Sequence, residues 1–304
     1  MSRIFVPLDG SPLAVQVLPY VRMFANLLGA EVHLTHVVTH GNHYRLALGH
    51  GIWDELQSKN RPNSATTDDL SKLRENAHTY LEQQAAPLRD AGITVGTSVL
   101  EGRPEEAIVG AAEDSLMIVM TTHGYSGVRR WALGSTTDKV VHASSVPVFV
   151  VHIRPQSTVA LRRILVPLDG SEIARRALPM AIKLARSSGA EIVLLAVVPP
   201  PIGGIEVALT PVVLDDRDRA AIHDRLLSEV ISIGGDSSGL KITPMVVEGF
   251  VAEEINDEAE RSQADLIVMS SHGYGGWRRL ALGNVTDKVM HITRTPLLVI
   301  HGAE

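Results

Sequence analysis

The sequence predicts an α/β chain of two repeated domains, each a five-stranded parallel sheet with helices on both faces. Three observations lead there. Segments recur in the same order: "RIFVPLDGS" from Arg3 and "RILVPLDGS" from Arg163, "LGAEVHLTHVV" from Leu28 and "SGAEIVLLAVV" from Ser188, "VLEGRPEEAI" from Val99 and "VVEGFVAEEI" from Val246, "SVPVFVVHI" from Ser145 and "RTPLLVIHG" from Arg294. An ordered repeat of this kind is a tandem duplication of a unit of about 150 residues, an ordinary domain size. Within each copy, short apolar runs alternate with helical patterns, as expected of parallel strands covered on both sides. The 304 residues are 45% hydrophobic and 20% charged, enough apolar material for two cores. The expected domains are 1–154 and 161–304, with a joint at Arg154–Arg163 too short to act as a loose tether.

The first copy gives the elements in order. Ile4–Leu8 is an apolar strand. Ser11 as N-cap and Pro12 at the first helical position open a helix running to Leu28, where Gly29 stops it. Pro19 interrupts that helix, as Pro179 does in the copy, and predicts a kink. The second strand is Glu31–Val38, followed by a long excursion, His40–Asp68, that is shorter in the copy. A second helix covers Asp69–Asp90 and ends at Gly92. The third strand is Ile93–Val99, the third helix Pro104–Glu113 and the fourth strand Leu116–Thr121. A last helix follows Ser135, and Val146–His152 is the fifth strand. Right-handed crossovers then favour the strand order 3-2-1-4-5. In that order the winding reverses between strands one and four, and ligands bind at such a switch point, outside the carboxyl ends of the strands.

Two loops meet there. One is "PLDGS" after strand one. The other follows strand four, in "VMTTHGYSGVRRWALGSTTDKV" from Val119 and "VMSSHGYGGWRRLALGNVTDKV" from Val268. Its glycines are Gly124 and Gly134, matched by Gly273 and Gly283. Glycine permits positive φ and lets a ligand approach without a Cβ in the way. Ser135 and Asp138 read as a capping box opening the last helix, with Asn284 and Asp287 in the same places in the copy. A helix start presents unpaired N–H groups and the positive end of a dipole, which suits phosphate. These residues support two readings: a phosphate cradle with the Ser135 hydroxyl as a further donor, or a capped helix after a turn. Arg129, Arg130, Arg278 and Arg279, between the glycines, either neutralise phosphate, face a partner, or form a solvated basic turn.

The arrangement resembles the universal stress protein family in its tandem two-domain form. "VPLDGS", "THVV", "IVMTTHG" and "LIVMSSHG", the "ALGS" or "ALGN" step, and the closing "PVFVV" or "PLLVI" strand carry the resemblance. The nucleotide-binding branch of that family has Gly, two residues, Gly, nine residues, Gly, then Ser or Thr. Here the second and third glycines fall on Gly124 and Gly134 with Ser135 behind, and on Gly273 and Gly283 with Asn284 behind. The first glycine is replaced by Thr121 and Ser270. The resemblance implies an adenine nucleotide, ATP or its ADP and AMP relatives, bound by Pro7, Leu8, Asp9, Val37, Thr121, His123, Gly124, Gly134, Ser135 and Thr136. In the copy it implies Asp169, Val197, Ser270, His272, Gly273, Gly283, Asn284 and Val285. Asp9 and Asp169 would meet the nucleotide through magnesium, which binds through one or two carboxylates plus phosphates; alternatively each is a turn aspartate bonding its own backbone. Val37 and Val197 would read the adenine edge with their backbone. A regulatory role in the stress response is implied, with self-association of the domains through their last strands and a homodimer. The alternative is an interaction module of the same fold with a vestigial cleft.

Other classes are set aside. Net charge is −6, without the basic excess of a nucleic-acid surface. There is no cysteine, hence no disulfide or thiolate metal site. No apolar run suggests a membrane span or a signal peptide, so a cytoplasmic protein is expected. His33, His36, His40, His43 and His50 invite a metal reading, but strand residues 33 and 36 point to opposite faces and no H-E-x-x-H spacing exists. No G-x-x-x-x-G-K-[ST] loop and no nucleophile–base pair is present, so any ATP hydrolysis is expected to be slow.

Overall fold

In unit one, the strands β1 (Arg3–Pro7), β2 (Glu31–Val38), β3 (Val95–Glu101), β4 (Met117–Thr121) and β5 (Val148–Val151) run parallel in the order β3-β2-β1-β4-β5. Its helices are α1 (Leu18–Leu28), α2 (Thr67–Asp90), α3 (Pro104–Ala111) and α4 (Ser135–Ala143). Unit two repeats the plan with β6 (Arg163–Pro167), β7 (Glu191–Val198), β8 (Ile242–Glu248), β9 (Leu266–Ser270) and β10 (Leu297–Ile300), ordered β8-β7-β6-β9-β10. Its helices are α5 (Glu172–Arg175), α6 (Leu178–Ser188), α7 (Asp216–Ser232), α8 (Val251–Arg261) and α9 (Asn284–Ile292). The computed structural model describes residues 2–39, 67–122, 134–152, 159–200, 214–233, 239–272 and 282–301. The chain divides into two compact units, Met1–Val159 and Ala160–Glu304.

The predicted strand order 3-2-1-4-5 is the one observed. Successive crossovers step one way from β1 to β3 and then reverse to β4 and β5, so right-handedness puts α1 and α2 on one face and α3 and α4 on the other. Strands β4, β5, β9 and β10 are buried at every position. In unit one Phe24 meets Phe149 edge to face at 4.9 Å, and Tyr20 lies 5.3 Å from the same ring.

Three local expectations are corrected. No single kinked helix spans residues 12–28. Ser11 Oγ accepts the Ala14 N–H at 3.0 Å, a 3₁₀ turn covers Ala14–Val17, and α1 starts at Leu18 with Pro19 in its first turn. Proline lacks an N–H, and the first turn is where none is needed, so Pro19 begins a helix instead of bending one. Pro179 does the same for α6, after the short α5 capped by Ser171 Oγ. Strand β3 begins at Val95, not Ile93, because Gly92 (φ 81°) and Ile93 are spent closing α2. The Gly92 N–H bonds the Arg89 carbonyl and the Ile93 N–H the Leu88 carbonyl. Strand β5 begins at Val148, not Val146, since Val146 is held in a turn by Ser144 Oγ, which accepts its N–H and donates to its carbonyl.

Candidate functional site

The site is built from chain leaving the carboxyl ends of β1 and β4, which are neighbours in the sheet. The β1–β2 ladder ends at Pro7↔Thr35, with one more bond from the Leu8 N–H to the Thr35 carbonyl at 2.8 Å. The chain then turns. Asp9 Oδ1 accepts the Ser11 N–H at 2.9 Å, and Gly10 sits at φ 83°, a left-handed value that favours glycine. Unit two repeats this: Asp169 Oδ1 accepts the Ser171 N–H at 2.9 Å and Gly170 has φ 83°. The aspartates therefore make the turn contact that the sequence left as one of their two readings.

Strand residues present N–H and C=O to alternate edges. Thr35 faces β1 and Val38 faces β3, where its carbonyl accepts the Gly102 N–H. Val37 therefore points to the β1 edge, beyond the place where β1 has stopped. Val197 stands in the same place: the β6–β7 ladder ends at Pro167↔Leu195, the Leu168 N–H meets the Leu195 carbonyl, and Val198 accepts from Gly249. Each unit thus offers a main-chain donor and acceptor at the mouth of its crevice.

On the other side, the Gly134 N–H bonds the Thr122 carbonyl at 2.7 Å and Thr137 Oγ1 donates to the Thr121 carbonyl at 2.9 Å, clamping the start of α4 to the end of β4. The expected capping box does not form. Gly134 itself is the N-cap, no side chain caps the helix, and Ser135 is already its first residue. The Asp138 N–H goes to the Gly134 carbonyl at 2.9 Å. Unit two matches, with Gly283 as N-cap, Asn284 first in the helix, and Thr286 Oγ1 donating to the Ser270 carbonyl. Gly134 (φ −67°, ψ 139°) and Gly283 (φ −66°, ψ 144°) are in extended conformations open to any residue. Positive φ is therefore not what calls for glycine at these positions. Thr121 and Ser270 are 7% and 6% exposed, so neither side chain stands in the open crevice. Thr136 follows Ser135 in the first turn, and Val285, in the corresponding place of unit two, is 38% exposed.

The universal stress protein family matches residues 1–152 and again 160–301. The chain belongs to that family. Among relatives, a universal stress protein of Mycolicibacterium smegmatis is 29% identical over 242 residues, 76% of this chain and 79% of that one. Universal stress protein MJ0577 of Methanocaldococcus jannaschii is 32% identical over 158 residues, 49% of this chain and 94% of that one. The crystal structure of a universal stress protein from Archaeoglobus fulgidus shares the fold over 99% of this chain and 97% of that one, with TM-score 0.70 and 23% identity.

The two universal stress protein units differ beneath the β1-type turn. In unit one, His36 is buried and its Nδ1 donates to the Leu8 carbonyl at 2.7 Å. Burial lowers its pKa, only partly offset by that hydrogen bond and by Asp9, which favours the uncharged ring. Tyr80 of α2 lies edge-on to His36 at 6.3 Å, near Gly10. Its buried hydroxyl has no hydrogen bond of good geometry among the described residues. Burial, then the Asp9 charge, push the phenol above its ordinary range. In unit two Ala196 stands where His36 does, and Arg225 of α7 takes the place of Tyr80. A Cβ on Gly170 would lie 3.2 Å from Arg225 Nη1, so the guanidinium rests on the turn. Its Nε is 4.0 Å from Glu229 Oε1, and Glu229 is 6% exposed. Burial raises the Glu229 pKa, while Arg225 and Arg175 pull it down and Asp169 adds to the rise.

Sequence reasoning did not single out Tyr80, Arg175, Arg225 or Glu229, whose positions under the turn depend on how a crossover helix lies on the sheet. In the sequence His36 stands out only within "THVV" and among the histidines that invite a metal reading. It and His33 do occupy opposite faces: His33 stacks on Phe5 and its Nε2 meets Ser98 Oγ at 2.8 Å. Beside the cleft of unit two, His272 Nδ1 lies 3.1 Å from Ser271 Oγ, and burial lowers its pKa. His123, Gly124, Arg129, Arg130, Gly273, Arg278 and Arg279 lie outside the described residues, as do His40, His43 and His50.

Proposed function

We propose that this universal stress protein binds an adenine nucleotide, ATP or its di- and monophosphate relatives, in the crevice of each unit and works as a regulatory sensor of nucleotide state. One observation carries the reading. In both units the helix after the fourth strand begins on a bare glycine with no side-chain cap, clamped by a threonine to the end of that strand, which neighbours the strand leading into the β1-type turn. The N–H groups of a helix start need an acceptor, and phosphate oxygens supply one. Val37 and Val197 complete the site with a main-chain donor and acceptor suited to an adenine edge. Pro7 and Leu8 wall the crevice on the β1 side.

Magnesium fits as part of the nucleotide. Within either unit, no three metal-ligating side chains converge among the described residues, so the protein would contribute one carboxylate, Asp9 or Asp169, and the phosphates the rest. When bound, the ion supplies charge neutralisation between carboxylate and phosphates. No helix among the described residues is long and apolar enough to cross a membrane. Pairing of two such chains would let the nucleotide state of one be read by its neighbour.

Denaturing release of co-purified small molecules, identified by mass spectrometry, tests the proposal. Adenine nucleotide in stoichiometric amount supports it. None, with no binding in an ATP–magnesium titration, replaces it with an interaction module whose glycine-started helices are inherited architecture.

A further inference from the structure

The repeated turns Asp9–Gly10 and Asp169–Gly170 have the same backbone, yet what supports them differs in charge. Under the first are an imidazole and a phenol, His36 and Tyr80. Neither is an arginine or a lysine, so at these two positions unit one has no counterpart of the guanidinium that lies on the turn of unit two. Under the second, the Arg225 guanidinium lies on Gly170 itself, half exposed, with Glu229 behind it. Arg175, the last residue of α5 and six residues after Asp169, acts on the same carboxylate of Glu229. Glu229, being buried with a raised pKa, is a weak counter-charge to the two arginines. Arg175 Nε and Glu229 Oε2 are buried and have no hydrogen-bond partner among the described residues, so the cluster is not a closed set of ion pairs.

We infer that the two crevices differ in their need for a divalent cation: the first holds a nucleoside polyphosphate only together with magnesium, whereas in the second Arg225 takes over the cation's role and the polyphosphate binds without it. The inference rests on the nucleotide reading above. Its physics is elementary. A carboxylate and a polyphosphate in one crevice repel, and either a bound cation or a fixed guanidinium removes the repulsion. Arg225 is already positioned on the turn, and its planar fork suits phosphate oxygens. Tyr80, at the same place in unit one, has only a hydroxyl to offer.

The test counts ATP bound to the full chain by equilibrium dialysis, once with excess magnesium and once with EDTA. Two sites with magnesium and one with EDTA are expected. Arg225→Gln removes the charge from a half-exposed side chain and should weaken the EDTA-resistant site by about tenfold or more. Tyr80→Arg should raise EDTA-resistant binding toward two sites. Thermal unfolding of each variant verifies that it folds, and Arg225→Lys, which keeps the charge, should retain most EDTA-resistant binding. Equal site counts in magnesium and EDTA, or an Arg225→Gln protein indistinguishable from wild type in EDTA, overturn the inference while leaving nucleotide binding intact. No ATP binding in either condition overturns the nucleotide reading itself.

Discussion

The two units lay down their first two strands in the same register, Arg3↔Glu31 to Pro7↔Thr35 and Arg163↔Glu191 to Pro167↔Leu195, yet pack different residues around them. Where unit one has Phe5, Tyr20, Phe24 and Phe149, unit two has Leu165, Met180, Leu184 and Leu298. Phe5, Phe24, Leu165 and Leu298 are all at most 1% exposed. The pleat and the crossovers fix where a side chain goes; several combinations of volume then fill the space. The turn chemistry, by contrast, is copied atom for atom. The units differ in the core and beneath the turn, and agree in the hydrogen bonds of the turn itself.

The largest expected effect separates the two cores. Phe149→Ala should cost about 3–5 kcal/mol, since it removes the ring that both Phe24 and Tyr20 touch. Leu298→Ala should cost about 2–5 kcal/mol, toward the lower end if the aliphatic core collapses better. Urea unfolding of each variant gives the difference; a larger loss at Leu298 would mean the aromatic core is the more adaptable. Next come the turns. Gly10→Ala and Gly170→Ala each force a side chain into φ 83° and should cost about 1–2 kcal/mol. Only the second also displaces Arg225, so only it should change EDTA-resistant nucleotide binding. Unequal stability losses would show that the turns are less alike than their bonds suggest.

Smaller still are the caps. Ser11→Ala and Ser171→Ala each strand one N–H and should cost about 1 kcal/mol, equally in the two units. Last is a pH effect at two glutamates of unit two. Thr243 Oγ1, then Lys241 and Arg163, hold Glu191 at about 2 against an ordinary 4.5. A lowered pKa stabilises the fold above about 4.5, and that contribution fades as pH falls toward about 2. Glu229 has the opposite sign: its raised pKa favours the fold at low pH, and the benefit is lost as pH rises through the folded value. Stability–pH curves of Glu191→Gln and Glu229→Gln should therefore depart from wild type in opposite directions with pH. Parallel curves would remove one assignment.

Much of this was legible in the sequence because it rests on local rules. Glu31–Val38 is bounded by Gly29 and by the polar excursion, and its strand has those bounds. The repeat placed the second unit without further argument. Pro19 predicts a kink because a helical pattern continues across it, whereas the chain separates a 3₁₀ turn from an α-helix there. Ser135 looked like a cap, yet the bond from Gly134 to the Thr122 carbonyl draws the helix start back by one residue. Tyr80 and Arg225 were invisible for a different reason. Nothing in a helical pattern says which residue will come to rest on a turn formed 70 residues earlier, or 55 in the copy, as the numbering of Gly10 and Gly170 shows.

The edge of β2 beyond Pro7 has a consequence for heredity. Its donor and acceptor at Val37 belong to the peptide bond, as do those at Val197. A point mutation that exchanges one side chain for another leaves them in place; only proline deletes the donor. A molecule pairing with that edge would be recognised by an arrangement that drift in either copy cannot easily erase, so a duplicated gene could explore new side chains around it and still pass on the contact.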